Sequence, residues 1–326
     1  MFEDLKKFFS KKDGRDVQSD IINDFCASSE NSGSSTKMIC VVNQKGGCGK
    51  TTTCINLSSG LVTKGFKVLI IDLDAQAHAS LGIGINVDNL EHSIYDVMVR
   101  NIDLEQIIMP TYISNLDIVP STSMLTGAQL EIADILGRER ILRTAVYKML
   151  NTNAKKYDYI IIDCSPSLNI LTINGLAAVH YILVPIQTHY FSLEGMKELF
   201  STLHIVKERL NFQLEVLGIL PTLFDGRTKM NREILYQIKD YFKEKVFKTA
   251  VRVNVKLAEA SLYKKSIFDY DASSNGAKDY LALTEEVIAL TQPQARVNEV
   301  KNSDNARETS IVAGRGQILS VSEKIS

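Results

Sequence analysis

The sequence predicts an α/β fold, a single doubly wound domain whose mainly parallel sheet is flanked by helices. Three observations predict it. Short apolar runs rich in β-branched residues recur along the chain, each of the length of a strand buried on both faces. Amphipathic stretches of helical length separate them, the alternation expected of βαβ units with right-handed crossovers. A glycine-rich loop joins the first apolar run to the first helical one. With 326 residues, 45% hydrophobic and 23% charged, the chain is long enough for one large α/β domain or two small ones. Its net charge of −1 excludes a global field that attracts nucleic acid, so any DNA contact must come from a local patch. No apolar run approaches a membrane span, and the N-terminus lacks the apolar core of a signal peptide. Cys26, Cys40, Cys48, Cys54 and Cys164 show no C-x-x-C spacing and read as reduced, cytosolic thiols.

Taken in order, residues 1–36 form an N-terminal arm. Phe2, Leu5, Phe8 and Phe9 make an apolar stripe beside Lys6, Lys7, Lys11 and Lys12, a short basic amphipathic helix, and the serine-rich run Ala27–Ser35 is a flexible linker. The folded domain spans 37–291. Met38–Val42 is a buried strand and runs straight into Lys45-Gly46-Gly47-Cys48-Gly49-Lys50-Thr51-Thr52. Strand, glycine loop and helix start, in that order, are what phosphate binding requires. Glycines let backbone N–H groups approach an anion, and the helix N-terminus adds its dipole. Lys50 would reach the β- and γ-phosphates of a nucleotide and the Thr51 hydroxyl would sit on Mg²⁺. A helix follows to about Gly65. Lys67–Asp74 is a second buried strand ending in two carboxylates, and in open α/β sheets the residues past strand C-termini face the ligand crevice. Asp72 and Asp74 share a face if the strand persists. Asp88–Ile108 reads as loop and short helices, Leu116–Pro120 as a strand, and Met124–Leu150 as helix broken at Gly137. Tyr157–Pro166 places Asp163 at a strand end, where a carboxylate would hold Mg²⁺ through water. Tyr181–Gln187 and Leu214–Leu220 are strands, Ser192–Leu210 is an amphipathic helix, and the last helix runs from about Ala277 to Leu290. Beyond it, 292–326 is a polar, disordered tail.

The loop departs from the strict Walker pattern, with Gln44 where a glycine is expected and Lys45 beside the first glycine. In this it resembles the deviant Walker A of the ParA/MinD group of P-loop NTPases. The likeness continues in Asp74-Ala75-Gln76-Ala77-His78, which is similar to the family's Asp-Pro-Gln-Gly-Asn, with Ala75 for proline, Ala77 for glycine and His78 for asparagine. It continues in Leu168–Leu176 and in Val251–Ala260, where Arg252 replaces the family proline and Val253 its first arginine. The resemblance implies an Mg²⁺-dependent ATPase. Lys45, Gly46, Gly47, Cys48, Gly49, Lys50, Thr51 and Thr52 would hold ATP. Thr51, Asp72 and Asp163 would serve Mg²⁺. Asp74 would position the attacking water, and Lys45 and Lys50 would neutralise the phosphates. It implies a sandwich homodimer in the ATP state, with Lys45 crossing to the partner's phosphates. It also implies nonspecific double-stranded DNA binding through Arg227 and Lys256, in a region where cations outnumber carboxylates, and hydrolysis stimulated by a ParB-like partner. The protein would then be cytoplasmic and nucleoid-associated, without stable membrane insertion, and would segregate chromosome or plasmid DNA. Two alternatives stand beside this. One is a positioning ATPase of the same family for a protein cluster or organelle. The other is a hydrolysis-poor, ATP-dependent binding module or regulator.

Overall fold

In the computed structural model, which describes residues 36–152, 156–189, 192 and 195–292, the apolar runs pair as strands. They are β1 (Lys37–Val41), β2 (Val68–Leu73), β3 (Met109–Pro110), β4 (Leu116–Val119), β5 (Tyr159–Cys164), β6 (Tyr181–Gln187) and β7 (Glu215–Thr222). They lie in the order β3-β4-β2-β5-β1-β6-β7, and every pairing is parallel except that of β3 with β4. β2 and β5 are buried at every position. Strands covered on both faces need apolar side chains on both, which is why these read as unbroken apolar runs.

Helices connect the strands. They are α1 (Lys50–Thr63), α2 (His78–Gly82), α3 (Ile94–Arg100), α4 (Leu104–Ile107), α5 (Leu125–Glu131), α6 (Ile141–Asn151), α7 (Ile170–Ala178), α8 (Met196–Arg209), α9 (Lys229–Phe242), α10 (Val255–Leu262), α11 (Ile267–Asp271) and α12 (Asn275–Thr291). The helical stretch expected over Met124–Leu150 is interrupted over residues 132–140, a wider break than the one expected at Gly137 and one that contains it, with α5 before it and α6 after it. The helix expected from Ser192 begins at Met196. β3 was not anticipated. Two residues are too few to show a period, and Pro110 argues against a strand except at an edge, which is where β3 lies. The edge of β7 is covered by the chain after α9, where the Phe247 N–H donates to the Ile219 carbonyl (3.0 Å) and the Val251 N–H to the Pro221 carbonyl (2.8 Å).

The chain divides into two compact units, Met1–Thr284 and Glu285–Ser326. The sheet and its core lie in the first. Of the second, the described residues continue α12 to Thr291 and end at Gln292. The expected basic arm and polar tail fall outside the described residues, save Thr36 and Gln292. Among the described residues no helix is long and apolar enough to cross a membrane. Cys40, Cys48, Cys54 and Cys164 are free, buried thiols.

Candidate phosphate-binding site

The glycine loop is held in shape by side chains from neighbouring strands. Asn43 donates through Nδ2 to the Pro185 carbonyl (2.6 Å) and accepts the Lys45 N–H on Oδ1 (3.0 Å). Gln187 Nε2 donates to the Gly47 carbonyl (2.7 Å), and Thr222 Oγ1 to the Cys48 carbonyl (2.9 Å). Gly47 and Gly49 take positive φ, 71° and 89°, which any side chain would strain. Gly49 is also the N-cap of α1, so the loop delivers the chain into a helix N-terminus. With its carbonyls tied back to β6 and β7, the loop is a preformed anion cradle.

Lys50 is buried, 7% exposed, and its Nζ donates to the Lys45 carbonyl (3.1 Å), which closes the loop on itself. The Lys45 Nζ instead donates to Ser192 Oγ (3.1 Å), and Lys45 does not line the adjoining cleft. That cleft has a volume of about 500 Å³ and is lined by the loop and by Thr51, Thr52, Asp74, Gln76 and His78. Leu223, Arg252, Asn254, Leu257 and Tyr280 also line it. Its size is that of a site for a nucleotide-sized ligand. Leu223 holds φ 49°, a strained value for a branched side chain at the cleft wall.

Two carboxylates stand at the end of the loop. Asp72 and Asp163 are partners in the β2–β5 ladder, side by side at the carboxyl ends of adjacent strands, and both are fully buried. Burial pushes both carboxyls above the usual range, reinforced at Asp163 chiefly by the charge of Asp72 and at Asp72 by that of Asp74. Asp72 is fully engaged. Its Oδ2 accepts from Ser80 N–H (2.8 Å) and Ser80 O–H (2.7 Å), and its Oδ1 from Asp74 N–H (3.2 Å). Asp163 accepts on Oδ1 from Cys54 Sγ (3.4 Å) and is held partly down by the nearby Thr51 hydroxyl, while its buried Oδ2 has no hydrogen-bond partner. An orphaned carboxylate oxygen beside a second carboxylate and a threonine hydroxyl suits a hard divalent cation. No cluster of three or more His, Cys, Asp or Glu stands among the described residues, so such a cation would draw its other ligands from hydroxyl, water and phosphate oxygens. The open oxygen is that of Asp163. Asp72, expected at the metal, gives its own oxygens to Ser80 and Asp74.

Asp74 lies just past β2, is 8% exposed, and accepts the Gln76 N–H on Oδ1 (3.0 Å). The turn after it is made by Ala77 at φ 52°, a left-handed conformation that glycine takes without strain. His78 opens α2, exposed and on the cleft.

The structure also ties together the two segments that carry the predicted DNA cations. Phe224 N–H donates to the Val251 carbonyl (3.0 Å) and Val253 N–H to the Phe224 carbonyl (3.1 Å), so the turn carrying Arg227 is stitched to the segment that leads into α10 and Lys256. Each cation has a carboxylate partner. Arg227 grips Asp225 through Nε and Nη2 (both 2.9 Å) and holds that carboxyl down at about 2. Lys256 donates to Glu259 (2.8 Å). Exposed pairs of this kind are weak and screened by solvent, so a phosphate can displace the carboxylate.

Sequence reasoning missed Ser80, Thr222 and Gln187, whose hydroxyls and amide brace the site from a distance. It also missed the Arg252–Asp279 pair. Only Ser80, a hydroxyl shortly after a paired-aspartate strand, left any local signal.

Residues 36–216 match a family model described as an AAA domain. The chain is 42% identical over 253 residues, 78% of its length and 98% of the relative's, to the sporulation initiation inhibitor protein Soj of Bacillus subtilis. It is 40% identical over 259 residues, 79% of its length and 90% of the relative's, to the chromosome partitioning protein ParA of Myxococcus xanthus. Among solved structures, the septum site-determining protein MinD of Pyrococcus horikoshii complexed with Mg-ADP superposes with a TM-score of 0.65 at 26% identity, covering 80% of this chain and 99% of that one. Identity of 42% and 40% over 98% and 90% of those two relatives' lengths settles the assignment: the chain belongs to the ParA/Soj family of P-loop ATPases.

Proposed function

We propose that this chain is a partition ATPase that binds ATP with Mg²⁺, dimerises on it, holds nonspecific double-stranded DNA in that state, and releases the DNA on hydrolysis. The observation that carries the reading is the orphaned Asp163 oxygen beside Thr51, at the foot of a braced glycine cradle that ends in a buried lysine. In it, Gly46, Gly47, Cys48, Gly49, Thr51 and Thr52 take the phosphates and Lys50 neutralises them. Thr51 and Asp163 serve Mg²⁺, Asp72 stands behind them, and Asp74 orients the attacking water. The cation, when bound, withdraws charge from the phosphate oxygens. Lys45 leaves Ser192 and crosses to the partner's nucleotide in the dimer. Arg227 and Lys256, on stitched segments, meet DNA phosphates. A ParB-like protein stimulates turnover. The working form is cytoplasmic and nucleoid-associated, and its ATPase domain spans 37–291.

The test is retention of the purified protein on random-sequence duplex DNA with ATP, with ADP and without nucleotide. Retention with ATP alone, lost as salt rises, is the expected outcome. Equal retention in all three conditions would overturn the reading.

A further inference from the structure

Arg252 stands where the family has proline, and it does not act as a loose surface cation. Its guanidinium grips Asp279 through Nε (3.0 Å to each oxygen) and Nη2 (2.6 Å), and its own N–H donates to Asp279 Oδ2 (3.0 Å). The Asp279 side chain is 9% exposed and that of Arg252 44%. Bidentate pairing at a half-buried site fixes geometry as well as charge. The two ends of this pair are anchored differently. Asp279 lies on α12 next to Tyr280, whose hydroxyl meets Thr53 Oγ1 of α1 at 3.2 Å. Arg252 leads into Asn254, which caps α10 by accepting the Lys256 N–H (2.8 Å), and Arg252, Asn254 and Leu257 line the nucleotide cleft.

We propose that Arg252 and Asp279 are a positioning pair for the nucleotide site, fastening the cleft wall of Val251–Ser261 to the helix layer behind the phosphate loop. The pair rests on the proposed ATP site and deepens it. It sets how tightly nucleotide is held, because a wall that is not fastened must be ordered by the ligand at the cost of its affinity. It does so without touching the phosphates.

The test is fluorescence titration of the full chain with mant-ATP and Mg²⁺. It compares the natural protein with Arg252→Gln, Asp279→Asn and the double variant, and uses Lys50→Ala as the control for the site itself. Each single variant is expected to weaken binding by about five- to tenfold, and the double by no more than the worse single, since both remove one interaction. In turnover the loss falls on KM more than on kcat. Arg252→Lys keeps the charge and loses the fork, and is expected to lie between; it gives the same reading if the glutamine variant does not fold. Single variants that bind within twofold of the natural protein would overturn the pair's role, as would fully additive losses. If the natural protein itself binds no mant-ATP, or binds it as well with Lys50→Ala, it is the proposed nucleotide site that fails.

Discussion

Ala77 shows how one methyl group bears on this site. A left-handed φ of 52° costs an alanine about 1 kcal/mol that glycine avoids, partly offset by the greater freedom glycine has when unfolded. Ala77→Gly is therefore expected to stabilise the protein by about 0.5 kcal/mol and raise the melting temperature by about 1–2 °C. A lower melting temperature by calorimetry would mean the turn is not strained. His180 acts in the opposite direction with pH. It is 8% exposed, and its Nδ1 accepts the Met38 N–H at 3.2 Å, a bond that protonation destroys. Burial, helped by the charges of Lys37 and Arg143, holds the ring down at about 4, from an ordinary 6.5. Above the ordinary value both folded and unfolded states are neutral and nothing is lost. As pH falls from there to about 4, only the unfolded chain takes the proton. Stability then drops by at most about 3 kcal/mol. Urea unfolding at pH 7 and pH 4.5 is expected to show a larger loss in the natural protein than in His180→Gln; equal losses would place the titrating group elsewhere.

At the scale of elements, helix packing outweighs helix propensity at Gly60. A Cβ there would lie 2.2 Å from Thr284 Oγ1, so α1 and α12 touch through a missing side chain. Alanine is the better helix former by about 1 kcal/mol, but overpacking costs about 1–3 kcal/mol. Gly60→Ala is expected to destabilise, and adding Thr284→Ala to recover most of the loss; chemical denaturation of the two variants decides it. The stitched segments carrying Arg227 and Lys256 make a second prediction. Reversing both charges is expected to abolish retention on duplex DNA while leaving mant-ATP affinity in place, and retention that survives would put the DNA face on other elements. The elements themselves were largely legible. β2 and β5 announce themselves because strands buried on both faces admit little but apolar residues, and the glycine loop because its backbone admits little but glycine. β3 was silent, being two residues long. Also unreadable was what brings distant residues together: the register that sets Asp72 beside Asp163, Ser80 beneath Asp72, and Arg252 against Asp279. Each of these depends on how strands and helices stack, which no local pattern encodes.

For the whole molecule, association is expected to follow nucleotide. Sedimentation velocity with a nonhydrolysable ATP analogue and Mg²⁺ is expected to show dimer, and with ADP monomer; a monomer at every concentration with the analogue would remove the sandwich from the scheme. The two margins of the sheet bear on what kind of association is open to it. One margin is the two-residue β3, ending in Pro110, which lacks a donor for a further neighbour. The other, β7, already gives its Ile219 and Pro221 carbonyls to Phe247 and Val251 of its own chain. Growth by strand recruitment is thus hindered at both ends. Extension of the sheet from one copy into the next, and with it cross-β stacking in concentrated protein, is disfavoured at both margins.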